Sequence, residues 1–85
     1  MFYTLYILKS LVADRFYVGH TNNLLRRIDE HNSGQTKSTK PYKPWEVVFT
    51  IEITSKSEAY NIERFIKSKK SKIFIKKLIK GEIKL

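Results

Sequence analysis

Tyr6, Tyr17, Arg27, His31 and Glu63 are the side chains in this sequence whose types and spacing suit chemistry on a phosphate. In a helix, positions three and four apart are neighbours, so Leu24, Arg27, Ile28 and His31 share one side of the segment that follows Asn23. Arg26 and Glu30 fall away from that side, at the spacing of a surface ion pair. Arg27 therefore borders an apolar stripe, with His31 one turn behind it. An arginine held at such a rim can grip a phosphate through two parallel hydrogen bonds. A snorkelling arginine or an internal salt bridge suits the same position.

Glu63 flanks Ile62 and Ile66 in a segment otherwise rich in lysine. A carboxylate so placed could bind a hard divalent cation that bridges to a phosphate oxygen. A Glu63–Lys67 pair on the helix surface is the plainer account of the same spacing. Tyr6 and Tyr17 could lie side by side across a hairpin, where tyrosines usually serve as core residues with satisfied hydroxyls. A catalytic tyrosine would need its pKa lowered from about 10, which Arg27 and a metal could help achieve. Gly19 would permit a tight strand exit or the close approach of a ligand. Gly-rich phosphate loops, Cys/His zinc spacing and a serine-nucleophile elbow are all missing.

These residues need a scaffold, and the sequence supplies its parts. "MFYTLYILK" is β-branched and aromatic and apolar on both faces, as a central strand should be. "SLVAD" contains a turn and "RFYVGH" is a second strand, so the pair forms an antiparallel hairpin. A helix follows, capped by Thr21, Asn22 or Asn23 and stopped by Gly34. "QTKSTKPYKP" is a polar loop. In "WEVVFTIEI", Trp45, Val47, Phe49, Ile51 and Ile53 should face one way, and Glu46, Thr50 and Glu52 the other. Ser55 and Glu58 have capping-box spacing and open a second helix striped by Ala59, Ile62 and Ile66, widened by Phe65. Ser71 caps a last helix with Phe74, Ile75, Leu78 and Ile79 on its apolar side, and Gly81 stops it. The expected fold class is α/β: a three-stranded antiparallel sheet flanked by helices in the order β-β-α-β-α-α, as a single domain over residues 1–85.

Composition bounds what such a domain can be. The chain has 85 residues, 41% hydrophobic and 13% aromatic, enough for a small core. It has no cysteine, which excludes disulfides and thiolate metal sites and fits a reducing compartment. The first apolar run is short and lacks a basic leader, and no run has the length of a membrane span. A cytoplasmic location with no membrane partner is expected. Of the net charge of +9, residues from Lys56 onward carry +7, with ten basic and three acidic side chains. So lopsided a domain suits a polyanion, nucleic acid first and an anionic membrane surface second, although a lysine-rich surface also serves solubility.

The order "TLYIL", "YVG", "TNNLLRRIDEH" and "SKSEAYNIERFIK" resembles the GIY-YIG nuclease domain, in particular its small stand-alone bacterial branch, over Phe2 to about Lys70. Thr4-Leu5-Tyr6 and Tyr17-Val18-Gly19 correspond to the two tyrosine motifs of that family. The resemblance implies that Arg27, eight residues after Gly19, grips phosphate, that His31 joins the site and that Glu63 binds the metal. It implies hydrolysis of phosphodiesters in DNA, ahead of RNA, with Mg²⁺ or Mn²⁺, leaving a 5′-phosphate and a 3′-hydroxyl. Tyr17, assisted by Tyr6 or His31, would then orient or deprotonate the attacking water.

Two positions depart from the family pattern. Thr4 stands where the family's name has glycine, and His20 follows Gly19 where many relatives have lysine, serine or isoleucine. His20 is expected to be a solvent-facing turn residue; a water-activating role at suitable pH is the alternative. Nucleic acid would meet Lys37, Lys40 and Lys43 of the loop, with Tyr42, and Lys67, Lys69 and Lys70 of the second helix's end. With no room for a specificity domain in 85 residues, cutting is expected to be structure-selective or weakly specific. A nucleic-acid-binding module of this fold without turnover is the competing expectation.

Overall fold

In the computed structural model, which describes residues 2–85, strand β1 (Tyr3–Ser10) is the centre of the sheet. It pairs antiparallel with β2 (Phe16–Thr21) on one side and with β3 (Trp45–Ile53) on the other, giving the order β2-β1-β3. Its doubly apolar pattern follows from that place. Leu5 and Ile7 are buried on one face, and Tyr6 and Leu8 on the other. Each fully buried aliphatic side chain of this kind contributes roughly 1.5–3 kcal/mol.

Three helices cover the two faces. Helix α1 (Leu24–Ser33) packs Leu24 and Ile28 against Tyr6, Leu8 and Trp45. Helices α2 (Lys56–Ser68) and α3 (Lys72–Ile79) close the opposite core, where Ala59, Ile66 and Leu78 meet Leu5, Ile7, Val18 and Ile53. The expected order β-β-α-β-α-α is therefore the observed one. Local chemistry sets the helix ends: Asn23, Ser55 and Ser71 each accept a backbone N–H at their N-termini. Gly34 ends α1 with a φ of 84°, in the left-handed conformation that glycine adopts without steric cost. Among the described residues, no helix is long and apolar enough to cross a membrane.

β3 departs from the simple alternation expected of it. Ile7 pairs with Phe49 but Leu8 pairs with Val47, so Val48 is an extra residue on the β3 side. Such a bulge reverses which face the following residues address. Trp45 accordingly joins Tyr6 and Leu8 beneath α1, while Phe49, Ile51 and Ile53 face α2 and α3. Val48 packs against the core and Val47 is exposed. The indole N–H of Trp45 donates to the Thr39 carbonyl at 2.9 Å, which fixes the loop leading to β3.

Candidate functional site

The hairpin register places Tyr6 directly opposite Gly19 and Tyr17 opposite Leu8. Tyr6 and Tyr17 are thus diagonal neighbours on the face under α1, their ring centroids 6.2 Å apart. Gly19 neither ends its strand nor leaves a slot for a ligand. A Cβ there would lie 2.7 Å from the Tyr6 hydroxyl oxygen and 2.9 Å from Cζ, so the phenol of Tyr6 occupies the space that the glycine leaves.

Behind Tyr6 runs a buried polar chain. The Tyr6 hydroxyl is 3.1 Å from His31 Nε2, and His31 Nδ1 is 2.9 Å from Thr39 Oγ1. Thr39 donates its own proton to the Thr36 carbonyl, so it accepts from Nδ1–H of His31. Nε2 then carries the lone pair that accepts the Tyr6 O–H. Burial, and next the Arg27 charge, hold the His31 pKa below its usual value, which favours this neutral ring. Burial likewise pushes the Tyr6 phenol up to about 12, against a hydrogen bond from Arg27 that lowers it. Tyr6 and His31 are almost fully enclosed, at 1% and 0% exposure, and Tyr17 lies over them, 4.7 Å from the His31 ring.

Arg27 reaches the same hydroxyls from α1, in polar contact with Tyr6 and Tyr17. Its main partner, however, is Glu30, at 2.8 Å. That charge-assisted bond raises the Arg27 pKa and lowers the Glu30 pKa. Arg26, expected to pair with Glu30, is the looser partner at 3.7 Å. The carboxylate thus tethers the arginine that borders the apolar stripe.

From the opposite face α2 brings Glu63 to the β2 edge. Its Oε1 is 2.7 Å from His20 Nδ1 and its Oε2 is 2.7 Å from Lys67 Nζ. His20 is not a solvent-facing turn residue. It lies in β2, on the same face as Val18, and turns toward α2. The expected Glu63–Lys67 pair is present, and Lys67 Nζ also sits 5.7 Å from the centroid of the Tyr17 ring. Arg27 and Glu63 therefore flank a single edge of the sheet, and the charges of both act on the Tyr6 hydroxyl.

Of the remaining residues singled out in the sequence, Lys37, Lys40 and Lys43 lie exposed before β3, in a segment expected as a plain loop in which Lys40–Tyr42 form a 3-10 turn. The aliphatic stem of Lys40 runs past Gly34. Lys69 lies over the rings of Phe65 and Phe74, at 4.6 and 5.6 Å, and Lys70 takes a left-handed φ of 47° in the turn to α3. Sequence spacing alone did not reveal the His20–Glu63 contact, the Glu30 tether or Thr39. His20 is two residues beyond Val18 on one strand face, and that was the available signal.

A hard cation needs oxygen donors, and no group of three or more His, Cys, Asp or Glu that could hold a metal occurs among the described residues. Glu63 is a single carboxylate, which suits a cation that keeps most of its water ligands. Its Oε2 faces a cation already, Lys67 Nζ at 2.7 Å, so an ion of this kind would take the place of that ammonium on Glu63. A groove of about 430 Å³ lies elsewhere, lined by Ile62, Phe65 and Leu85 among others. The polar cluster instead sits on an open sheet edge, a geometry for an extended ligand and not for an enclosed small molecule.

The family model for the GIY-YIG catalytic domain matches residues 2–78. The UPF0213 protein YazA of Bacillus subtilis is 36% identical over 64 residues, which are 71% of this chain and 65% of that protein. The human structure-specific endonuclease subunit SLX1 is 40% identical over 53 residues, 58% of this chain but 19% of that one. The chain thus spans just under two thirds of the first of these relatives and a small part of the second. Among solved structures, the solution NMR structure of the UPF0213 protein BH0048 from Bacillus halodurans superposes with a TM-score of 0.60 at 32% identity, covering 94% of this chain and 84% of that one.

Proposed function

The chain belongs to the GIY-YIG family, and from that premise we propose that it is a metal-dependent endonuclease that hydrolyses phosphodiester bonds in DNA, selecting by structure more than by sequence. The observation that carries the proposal is the convergence of Arg27 and Glu63 on either side of Tyr17 at one open edge. A cationic fork and an acidic ligand so placed can address one phosphate. The name of the SLX1 relative, a structure-specific endonuclease subunit, supports the chemistry and the selectivity. The +9 charge supports a polyanionic substrate.

In this mechanism Arg27 binds the scissile phosphate and neutralises the charge that grows in the transition state. Tyr17, less buried than Tyr6, orients the attacking water through its hydroxyl. Tyr6 is a positioning residue: it keeps its proton, donates it in a hydrogen bond to His31 Nε2 and presents its oxygen lone pairs to Arg27. His31 in turn fixes Tyr6 through Thr39. Glu63 would hold the Mg²⁺ or Mn²⁺ ion, with His20 orienting the carboxylate. When bound, such an ion supplies Lewis-acid stabilisation of the phosphate and the leaving oxygen.

The competing function, binding of nucleic acid without turnover, draws on a specific feature: Arg27 and both oxygens of Glu63 are already engaged within the protein. Incubation of purified protein with plasmid and labelled branched DNA, with Mg²⁺ or Mn²⁺ and then EDTA, separates the two. The nuclease gives metal-dependent cuts that Glu63→Ala and Arg27→Ala abolish while both variants remain folded by circular dichroism. Equal cleavage by wild type and Glu63→Ala would leave the binding module standing.

A further inference from the structure

The two oxygens of Glu63 are held by partners of different kinds. His20 comes from β2 and is mostly covered, with 19% of its side chain exposed. Its element is tied into the hairpin, so it stays. Lys67 stands one turn further along α2 on a flexible four-carbon stem, 49% exposed. An ion pair with that much exposure is weak and exchanges readily. The ammonium also has a second place to rest, since the Tyr17 ring is within cation–π range at 5.7 Å.

We propose that Lys67 is a built-in counter-ion of Glu63 that competes with a divalent cation for Oε2, and that its displacement delivers an ammonium to the Tyr17 edge. The proposal rests on the assignment of Glu63 as the metal ligand made above. Two cations on one carboxylate oxygen repel each other, so the ion and Lys67 compete there. The exchange links two binding events. A phosphate group that attracts Lys67 frees Glu63 for the ion, and an ion that takes Glu63 frees Lys67 for the phosphate. Each ligand therefore raises the affinity for the other by the same factor. The consequence is a carboxylate kept neutralised until substrate and cation arrive together.

Binding of Mn²⁺ to the whole chain in the absence of nucleic acid, followed by electron paramagnetic resonance of the free ion, tests this without reference to activity. Lys67→Met keeps the stem, removes the charge and should bind Mn²⁺ about three- to fivefold more tightly, the scale of an exposed ion pair. Lys56→Met removes one charge from the exposed start of the same helix and should bind as wild type does. Tightening in Lys67→Met no greater than in Lys56→Met overturns the proposal. If Glu63→Gln loses binding in that case, the metal assignment survives it. Wild-type affinity in Glu63→Gln, or no binding by any of the proteins at millimolar Mn²⁺, overturns the metal assignment itself and the counter-ion with it.

Discussion

Tyr6 and Gly19 share one space: the phenol fills the volume where a side chain at Gly19 would stand, with its oxygen 2.7 Å from an ideal Cβ. Because the two are direct cross-strand partners, the glycine sets how Tyr6 lies and thus where its hydroxyl meets His31 and Arg27. No left-handed backbone is needed at Gly19; the requirement is steric.

Gly19→Ala should therefore destabilise the fold by about 1–3 kcal/mol, as overpacking does, and should reduce cleavage beyond what the lost stability explains. Thermal denaturation gives the first quantity. In a Tyr6→Phe background the nearest clashing atom is gone, so the same substitution should cost less. An equal cost in both backgrounds would show that the strain arises elsewhere.

The buried His31–Tyr6 pair predicts losses at both ends of the pH scale. His31 has a folded pKa below its ordinary 6.5, so the unfolded chain binds the extra proton first. The stability it contributes is present above 6.5 and is lost as pH falls through the lower folded value. Tyr6 behaves oppositely: its pKa rises from 10.0 to about 12, so its share is intact below 10 and is lost toward 12. Urea midpoints measured from pH 7 to 5 should fall in wild type and fall less steeply in His31→Gln. Parallel slopes would mean that other groups control the acid limb.

Element types and order were legible because their signals are local: strand alternation, N-caps at Asn23, Ser55 and Ser71, and glycine at Gly34. The facing of β3 was not. One extra residue at Val48 moves Trp45 to the α1 side, and only the pairing of Leu8 with Val47 reveals it. Helical periodicity likewise put Arg27 and His31 on one side but could not say that Glu30 would tether the former, or Thr39 orient the latter. Those contacts depend on rotamers and on loop placement, which no period in the sequence encodes.

The Glu30 tether predicts a gain from a loss. The guanidinium that would grip a phosphate already donates from Nη1 to Glu30 at 2.8 Å, a competing carboxylate. Glu30→Gln keeps the shape and removes the charge. Binding of DNA in EDTA should then tighten by about two- to fivefold, the scale of an exposed ion pair, with fold and secondary structure unchanged. Weaker binding would show instead that Glu30 presents the guanidinium in its working orientation.

Salt dependence locates the path of the nucleic acid. Each phosphate contact made by a lysine or arginine adds about one to the slope of log affinity against log salt, through counterion release. Lys69 and Lys70 follow the Glu63–Lys67 pair at the end of α2, whereas Lys37 and Lys43 lie in the loop beyond the C-terminus of α1. A substrate centred between Arg27 and Glu63 should cross the α2 end first. Lys69→Gln with Lys70→Gln should then lower the slope by about two, while Lys37→Gln with Lys43→Gln should lower it by less. The reverse ranking would route the strand over the loop, and the buried His31–Thr39 bond would then be what fixes that loop beside the site.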